Sequence, residues 1–317
     1  MLDGMIQFLE NFNTEKQCFQ YLENLRWWDG FHCPKCGEKK FWRAVRGYRI
    51  CSWCKNNLRV TAWTVFHWER VDLRVVFLIV WFMVISKRWI SAEELSNILQ
   101  VNVRTTWIWQ HKIRGAMILP KRKKLTWSVE VDEIFIWGTQ PWKRWRWAIW
   151  KQKVIIAVEV NKSIPNKKGL IRGMWRVRIS VIPNCGHLRL KRFILENIET
   201  WTTLYTDNWK GYSGIEEVGF TRIIEQEKAI SDEIKWVNVT EITPNVHIIA
   251  SLVKRWLLWT HQKYLAKHGY LQSYLDEYTF RYNRRNSKNR GKLFEIIMKQ
   301  IINTSPTTYA LIKQKFA

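Results

Sequence analysis

The sequence predicts a mixed α/β protein in three parts: a zinc ribbon over residues 1–60, a helical segment over 61–120, and an α/β domain with terminal helices over 121–317. Three observations predict it. Four cysteines fall in two C-x-x-C pairs near the N-terminus. Two short amphipathic segments joined by a tight turn follow them. From Thr126 onward the apolar period shifts to that of strands, with three strands, a helix, a strand and closing helices.

The ribbon comes first. Cys33-Pro-Lys-Cys36 and Cys51-Ser-Trp-Cys54 are separated by 14 residues. Paired knuckles at this spacing read as a tetrahedral four-thiolate site for structural Zn²⁺ with Cys33, Cys36, Cys51 and Cys54 as ligands. Two disulfides or a redox dithiol are the alternatives, and disulfides need an oxidising compartment that nothing in the sequence indicates. Cys18 and Cys185 stand alone and read as buried or incidental thiols. Phe41–Ile50 carries short strand-type patterning.

The helical part follows. The longest apolar run, Val75–Ile85, has 11 residues, against the roughly 20 that a membrane span needs, so it reads as a buried helix over Asp72–Ser86. No membrane partner and no secretory signal are expected, since Met1–Asn11 carries no Lys or Arg. Ser91-Ala-Glu-Glu-Leu95 has the pattern of a capping box opening a helix, and a second helix runs from about Arg104 to Met117. This is a helix-turn-helix pattern, and Arg104, Gln110, Lys112 and Arg114 on its second helix are candidate DNA contacts. The run Pro120-Lys-Arg-Lys-Lys124 reads as a basic linker.

In the third part, strands are predicted over Ser128–Ile136, Val154–Val160, Arg176–Ile182 and Thr202–Thr206, with helices over Leu188–Asn197, from Pro244 to about Leu258 behind an N-capping Thr243, and over Leu271–Tyr282 and Leu293–Ile302. Asp132 interrupts an apolar strand, and Asp207 stands at the tip of another. Carboxylates on neighbouring strands can share cations, the minimal arrangement for metal-dependent phosphoryl transfer.

Composition narrows the partners. Lys and Arg total 52 and Asp and Glu total 27, a net charge of +25. That excess points to nucleic acid rather than a neutral metabolite. A hydrophobic fraction of 47% excludes a disordered basic tail.

Several motifs resemble one family. They are Trp27-Trp-Asp-Gly-Phe-His-Cys-Pro-Lys-Cys36, Thr61-Ala-Trp-Thr-Val-Phe-His67, Ile90-Ser-Ala-Glu-Glu-Leu95, Val131-Asp-Glu-Ile-Phe-Ile136, Tyr205-Thr-Asp-Asn-Trp-Lys-Gly-Tyr212, Val253-Lys-Arg-Trp-Leu257, Thr260-His-Gln262 and Tyr274-Leu-Asp-Glu-Tyr-Thr-Phe-Arg-Tyr-Asn-Arg-Arg285. In this order they resemble the bacterial insertion-sequence transposases that join a zinc ribbon to an RNase H-like DDE domain, the ISXO type. The resemblance implies an RNase H-like mixed sheet flanked by helices, with Asp132 and Asp207 as the first two catalytic acids. It further implies Mg²⁺-dependent strand cleavage and transfer, with terminal-repeat and target DNA as partners. A homo-oligomer on DNA, in the cytoplasm with the nucleoid, is expected.

The third catalytic position departs from an acid. The matching residue is His247, seven residues before Lys254 on one helix face with Ser251. A neutral imidazole can ligate a metal, although Mg²⁺ prefers oxygen. Lys254 reads as a phosphate clamp, and Glu225, Glu227, Glu233 and Glu241 are fallback ligands. Glu133 is expected to face away from Asp132, and neither it nor the Asp276-Glu277 pair is given a catalytic role.

Tryptophan is overabundant, 22 against 14 Gly, where average usage gives roughly 22 Gly. In Pro141-Trp-Lys-Arg-Trp-Arg-Trp147 the alternation with cations reads as a stacking platform for unpaired DNA. The family carries Gly at those positions, however, and also where this chain has Trp63, Trp89, Trp137 and Trp259, with Trp28 and Trp150 as further candidates. Trp81, Trp107, Trp209 and Trp256 match family Trp. UGA codons that mean glycine, translated as tryptophan, explain the bias. The competing functions are a non-catalytic zinc-ribbon and helix-turn-helix regulator descended from a decayed transposase, and a structure-specific nuclease on the same fold.

Overall fold

The computed structural model describes residues 4–44, 47–67, 70–86, 89–119, 122–136, 152–161, 173–224, 243–261 and 269–314. The Pro141–Trp147 loop, Trp137, Trp150, Glu225, Glu227, Glu233 and Glu241 lie outside them. The chain divides into two compact units, residues 1–119 with 286–317, and residues 120–285. The division at 119/120 falls one residue from the expected one at 120/121, whereas the boundary at 60 does not separate two units and residues 286–317 fall in the first. The ribbon and the helical segment form one unit, and the last helices join it.

In the first unit, α1 (Met5–Asn11) and α2 (Glu15–Arg26) precede the ribbon, where only short strands were anticipated. Thr14 caps α2 through a full capping box with Gln17. Strands β1 (Phe41–Ala44), β2 (Tyr48–Cys51) and β3 (Asn57–Arg59) make an antiparallel ribbon sheet. Helix α3 (Leu73–Ile85), capped by Asp72, is the apolar run and is buried nearly all round. It needs cover on every side, which is why α9 (Gly291–Ile302) returns from the far end of the chain to pack on it. Phe8, Phe12, Phe77, Trp81 and Phe294 fill that junction.

Helices α4 (Ala92–Leu99) and α5 (Val103–Ala116) form the helix-turn-helix pair, with Ser91 and Asn102 accepting the capping N–H bonds of Glu94 and Arg104. α10 (Tyr309–Gln314) packs on α5. No helix of the described residues is long and apolar enough to cross a membrane.

The second unit is a five-stranded sheet in the order β6-β5-β4-β7-β8, formed by β4 (Ser128–Ile136), β5 (Gln152–Val160), β6 (Met174–Ile182), β7 (Thr203–Thr206) and β8 (Thr221–Ile224). β4, β5 and β6 pair antiparallel, while β7 pairs parallel with both β4 and β8. This is the mixed, helix-flanked sheet expected of an RNase H-like domain. β8 was not anticipated, being short and exposed.

Alternation along β4 sorts its residues between two faces. Val129 and Val131 pack with Leu204, Ile155 and the buried side of α6 (His187–Asn197). Glu130 and Asp132 face α7 (Pro244–Thr260) instead, as their hydrogen bonds to its first residues show. The outer edge of β6 is closed by α8 (Leu271–Tyr282). Gln272 accepts from the Val181 N–H and Asn283 accepts from the Val177 N–H, so this edge offers no free ladder.

Candidate active site

Two groups of candidate ligands emerge, one in each unit. In the ribbon, ligand atoms of Cys33, Cys36, Cys51 and Cys54 lie within 4.8 Å of one another. The Sγ atoms of Cys33 and Cys54 are 3.5 Å apart, as are those of Cys36 and Cys51. Four thiolates about 2.3 Å from a tetrahedral Zn²⁺ have edges of about 3.8 Å, so the cluster fits the ion. The knuckle turns are local. Gly37, at φ +75°, bonds its N–H to the Cys33 carbonyl, and the Cys33 N–H bonds Glu38 O. The clustered thiols titrate together: although desolvation opposes it, the N–H groups of Lys35 and Cys36 draw Cys33 down to about 6, while, against the Glu38 N–H, its neighbouring thiols push Cys36 up to about 12.

In the second unit, the register of β4 on β7 runs Ser128↔Thr203, Val129↔Leu204 and Glu130↔Tyr205, an offset of 75 residues. Continued by two residues, that offset brings Asp132 level with Asp207, one residue past the end of β7. Parallel neighbours lie about 4.8 Å apart, so the two carboxylates are close.

Two donors hold Asp132 in place: the Glu133 N–H donates to Oδ1 at 2.7 Å and the Thr243 hydroxyl donates to Oδ2 at 3.0 Å. His247 Nε2 lies 3.6 Å from Oδ2, beyond hydrogen-bond length. Burial raises the Asp132 pKa above the usual carboxylate range, the Thr243 bond opposes this, and the charge of Asp207 adds to the rise. The Asp132 side chain is 16% exposed and that of His247 46%, so the imidazole reaches the site from its solvent side. Asp207 Oδ1 accepts the Trp209 N–H at 3.1 Å.

Lys254 and Ser251 are exposed on α7, with Lys254 about 10 Å further along the axis than His247. Thr243 occupies the N-cap of α7 as anticipated, but its hydroxyl makes no cap bond because it is turned to Asp132.

Glu133 does face away from Asp132. Its carboxylate accepts from the hydroxyl of Tyr212, which is fully buried on the α6 side. Burial pushes Glu133 up to about 7, with Tyr212 opposing and Asp132 and Asp207 reinforcing. This link joins β4 to the turn after Asp207. Sequence reasoning missed it, although both residues stood in quoted motifs. Glu277 of the Asp276-Glu277 pair is buried beside Arg281 at 3.4 Å, a structural contact. Among the described residues no Lys or Arg ion-pairs with Asp132, Asp207 or Glu133. The carboxylate oxygens of Asp132 and Asp207 are the hard donors that a divalent cation takes.

The candidate DNA contacts on α5 need correction. Gln110, Lys112 and Arg114 are buried. Gln110 donates to Ile90 O at 3.1 Å, and Arg114 donates to Gln110 Oε1 at 3.4 Å. The last two turns of α5 pack inside the unit against α3 and α9, so these side chains cannot reach a groove. Arg104 is exposed, its guanidinium 4.5 Å over the Tyr309 ring. The open edge of α5 is its first turn, Asn102–Thr105.

These features define a zinc-ribbon protein whose second unit brings two acids close together on a mixed sheet. Residues 124–283 match the ISXO2-like transposase domain, and residues 13–57 match the transposase zinc-ribbon domain. The chain belongs to this transposase family and is a DNA transposase of the insertion-sequence type. It is 23% identical, over 268 residues, to an uncharacterized protein in transposable element ISH50 of Halobacterium salinarum, covering 78% of this chain and 85% of that one. A crystal structure of a pre-cleavage Mos1 transpososome aligns over 69% of this chain and 75% of its own at 12% identity, with a TM-score of 0.26, too low to carry any argument.

Proposed function

We propose that Asp132, Asp207 and His247 form the centre that cleaves and joins DNA strands at the ends of a mobile element, with Mg²⁺ held by the two aspartates. The observation that carries this reading is the β4–β7 register, which continued two residues brings Asp132 level with Asp207 just past the end of β7, with His247 Nε2 3.6 Å from Asp132 and no Lys or Arg ion pair to either acid among the described residues. Bound Mg²⁺ would supply charge stabilisation to the attacking and leaving oxygens of a phosphodiester. The chain's own groups do the rest. Asp132 and Asp207 give the hard oxygen donors. His247 adds a nitrogen donor at the open side, or orients a water or phosphate there. Lys254 meets the DNA backbone two turns along α7. The first turn of α5, led by Arg104, is the base-reading edge, as in other helix-turn-helix proteins. Cutting two element ends calls for two such centres, so the protein acts as a homo-oligomer on terminal-repeat and target DNA.

A second reading, a DNA-binding regulator descended from a transposase, is favoured by the imidazole at position 247. One assay separates them. Purified protein is incubated with Mg²⁺, a plasmid carrying the terminal repeats and a target. Joined products are expected, and Asp132→Asn or Asp207→Asn should abolish them by orders of magnitude while DNA binding persists. Binding without cleavage by the unaltered protein would establish the regulator, and cleavage without joining a nuclease.

A further inference from the structure

Glu130 is a fully buried carboxylate that the reaction scheme above leaves unused. It lies two residues before Asp132 on the same face of β4. Its Oε2 accepts the backbone N–H of Asn245 at 2.9 Å, and its Oε1 accepts Asn245 Nδ2 at 2.8 Å. Asn245 is itself buried. The position of these bonds in α7 gives them weight. Pro244, the first helical residue, has no N–H, and Thr243, which would ordinarily cap the helix, has its hydroxyl on Asp132. The first N–H that α7 offers is therefore Asn245's, and the cap comes from another element. A carboxylate at a helix N-terminus also meets the positive end of the helix dipole.

We propose that Glu130 is a positioning residue for the catalytic centre, acting through Asn245 to hold the first turn of α7 so that position 247 meets Asp132. The inference rests on the assignment of Asp132 and His247 above. Two bonds to one residue, one backbone and one side chain, restrain both the height and the rotation of the turn. A single bond would leave it free to swivel. β4 thus carries two acids in alternate positions with different tasks. Asp132 works at the open end of the α7 junction, and Glu130 locks the closed end. The lock gives this buried acid a task, because its two oxygens accept the two donors of Asn245.

The test uses the full-length, zinc-loaded protein, with Mn²⁺ as the probe ion. Glu130→Ala, Glu130→Gln, Asn245→Ala and the double alanine variant are compared with Asp132→Asn. Mn²⁺ binding is measured by calorimetry without DNA. Nicking of a terminal-repeat oligonucleotide across a Mn²⁺ series gives the half-saturating concentration and the maximal rate. Both alanine variants should weaken Mn²⁺ binding and raise the half-saturating concentration by about 10-fold, as loss of groups behind a metal ligand does. The maximal rate at saturating Mn²⁺ should move much less. The double variant should be no worse than Glu130→Ala, because both changes break one contact. Glu130→Gln should recover most of the function, since its carbonyl still accepts the Asn245 N–H and the two amides can pair. Alanine variants that bind Mn²⁺ and nick as the unaltered protein does would overturn the inference. So would a lowered melting temperature with an unchanged Mn²⁺ response. If Glu130→Ala does not fold, Asn245→Ala and Glu130→Gln decide by the same criteria. Asp132→Asn that still binds Mn²⁺ and nicks would instead sink the assignment of the catalytic centre, whereas its inactivity beside unaffected Glu130 and Asn245 variants would sink the positioning role alone.

Discussion

The two candidate metal sites are built on opposite principles. All four ligands of the ribbon come from Cys33–Cys54, and two tight turns present them. The candidate acidic site draws Asp132, Asp207 and His247 from three segments spread over 115 residues: a strand, the turn just past another strand, and a helix. Buried groups from other elements fix its surroundings: Thr243 bonds Asp132, Glu130 holds Asn245 at the start of α7, and Tyr212 holds Glu133 on the other face of β4. A local site is closed by its metal, and an assembled site is set by its scaffold. The first should depend on the ion for its fold, while the second should keep its fold without the ion.

Zinc removal tests this difference most strongly. Cys33→Ser, or a strong chelator, should unfold the ribbon, because structural zinc contributes on the order of 10 kcal/mol to such modules. Thermal unfolding followed by circular dichroism should show the β-rich unit of residues 120–285 melting as before. A shared loss of both units would break the comparison, and native protein without zinc by elemental analysis would remove its first term.

Changes at position 247 come next in size. His247→Ala should reduce Mg²⁺-dependent strand cleavage at least about 10-fold, the loss seen even for groups behind a ligand. His247→Glu, which restores the oxygen donor that Mg²⁺ prefers, should preserve or raise it. Neither should shift the melting temperature, since the imidazole is half exposed. Full activity in His247→Ala would place the third ligand elsewhere in the chain.

A smaller effect concerns tryptophan. Trp63, in the first unit, stands at φ +61°, and Trp127, immediately before β4, at φ +67°. Both residues are largely exposed, 70% and 69%, and each keeps one ring contact, Trp63 stacked on His67 and Trp127 edge-on to Trp201, so packing offsets the strain only in part. The left-handed region costs a non-glycine residue about 1–2 kcal/mol. Trp63→Gly and Trp127→Gly should therefore each stabilise their own unit by about 1 kcal/mol, after glycine's larger unfolded-state entropy is counted. Trp81 and Trp256 are buried in cores, and replacing them with Gly should destabilise. UGA codons at 63 and 127 would connect the strain to the reading of the genetic code; UGG codons there would refute that link.

The smallest effect is on acid stability. His111 is buried in the first unit, and burial, aided by Arg114, holds its pKa well below the ordinary 6.5. The unfolded chain binds a proton that the folded chain refuses. The stability linked to His111 is complete above pH 6.5 and is lost as the pH falls below it, by at most about 1.4 kcal/mol per pH unit. His111→Gln should flatten the melting temperature of this unit between pH 6.5 and 5 relative to the unaltered protein, with no change in the other unit.

Local signals settled much of this molecule in advance. The knuckle spacing named all four thiolates, the apolar run marked α3, and Ser91 marked the start of α4. The strand carrying Asp132 was legible to its ends, as Ser128–Ile136, because one face alternates against a core. Each of these rests on neighbours within a turn or a strand length, which the order of residues specifies directly. What only the tertiary structure decided is of longer range. Gln110, Lys112 and Arg114 looked like DNA contacts because they are polar and on a basic helix, and packing against α3 and α9 buried them. The last helices joined the first unit because α3 is apolar on every side. Glu130 and Asn245, and Glu133 and Tyr212, are separated by 115 and 79 residues. No periodicity links such pairs. They meet because β4 and β7 pair in parallel and α7 docks on the face of β4 that bears Glu130 and Asp132, and it is this register, carried on by two residues, that brings Asp132 and Asp207 together.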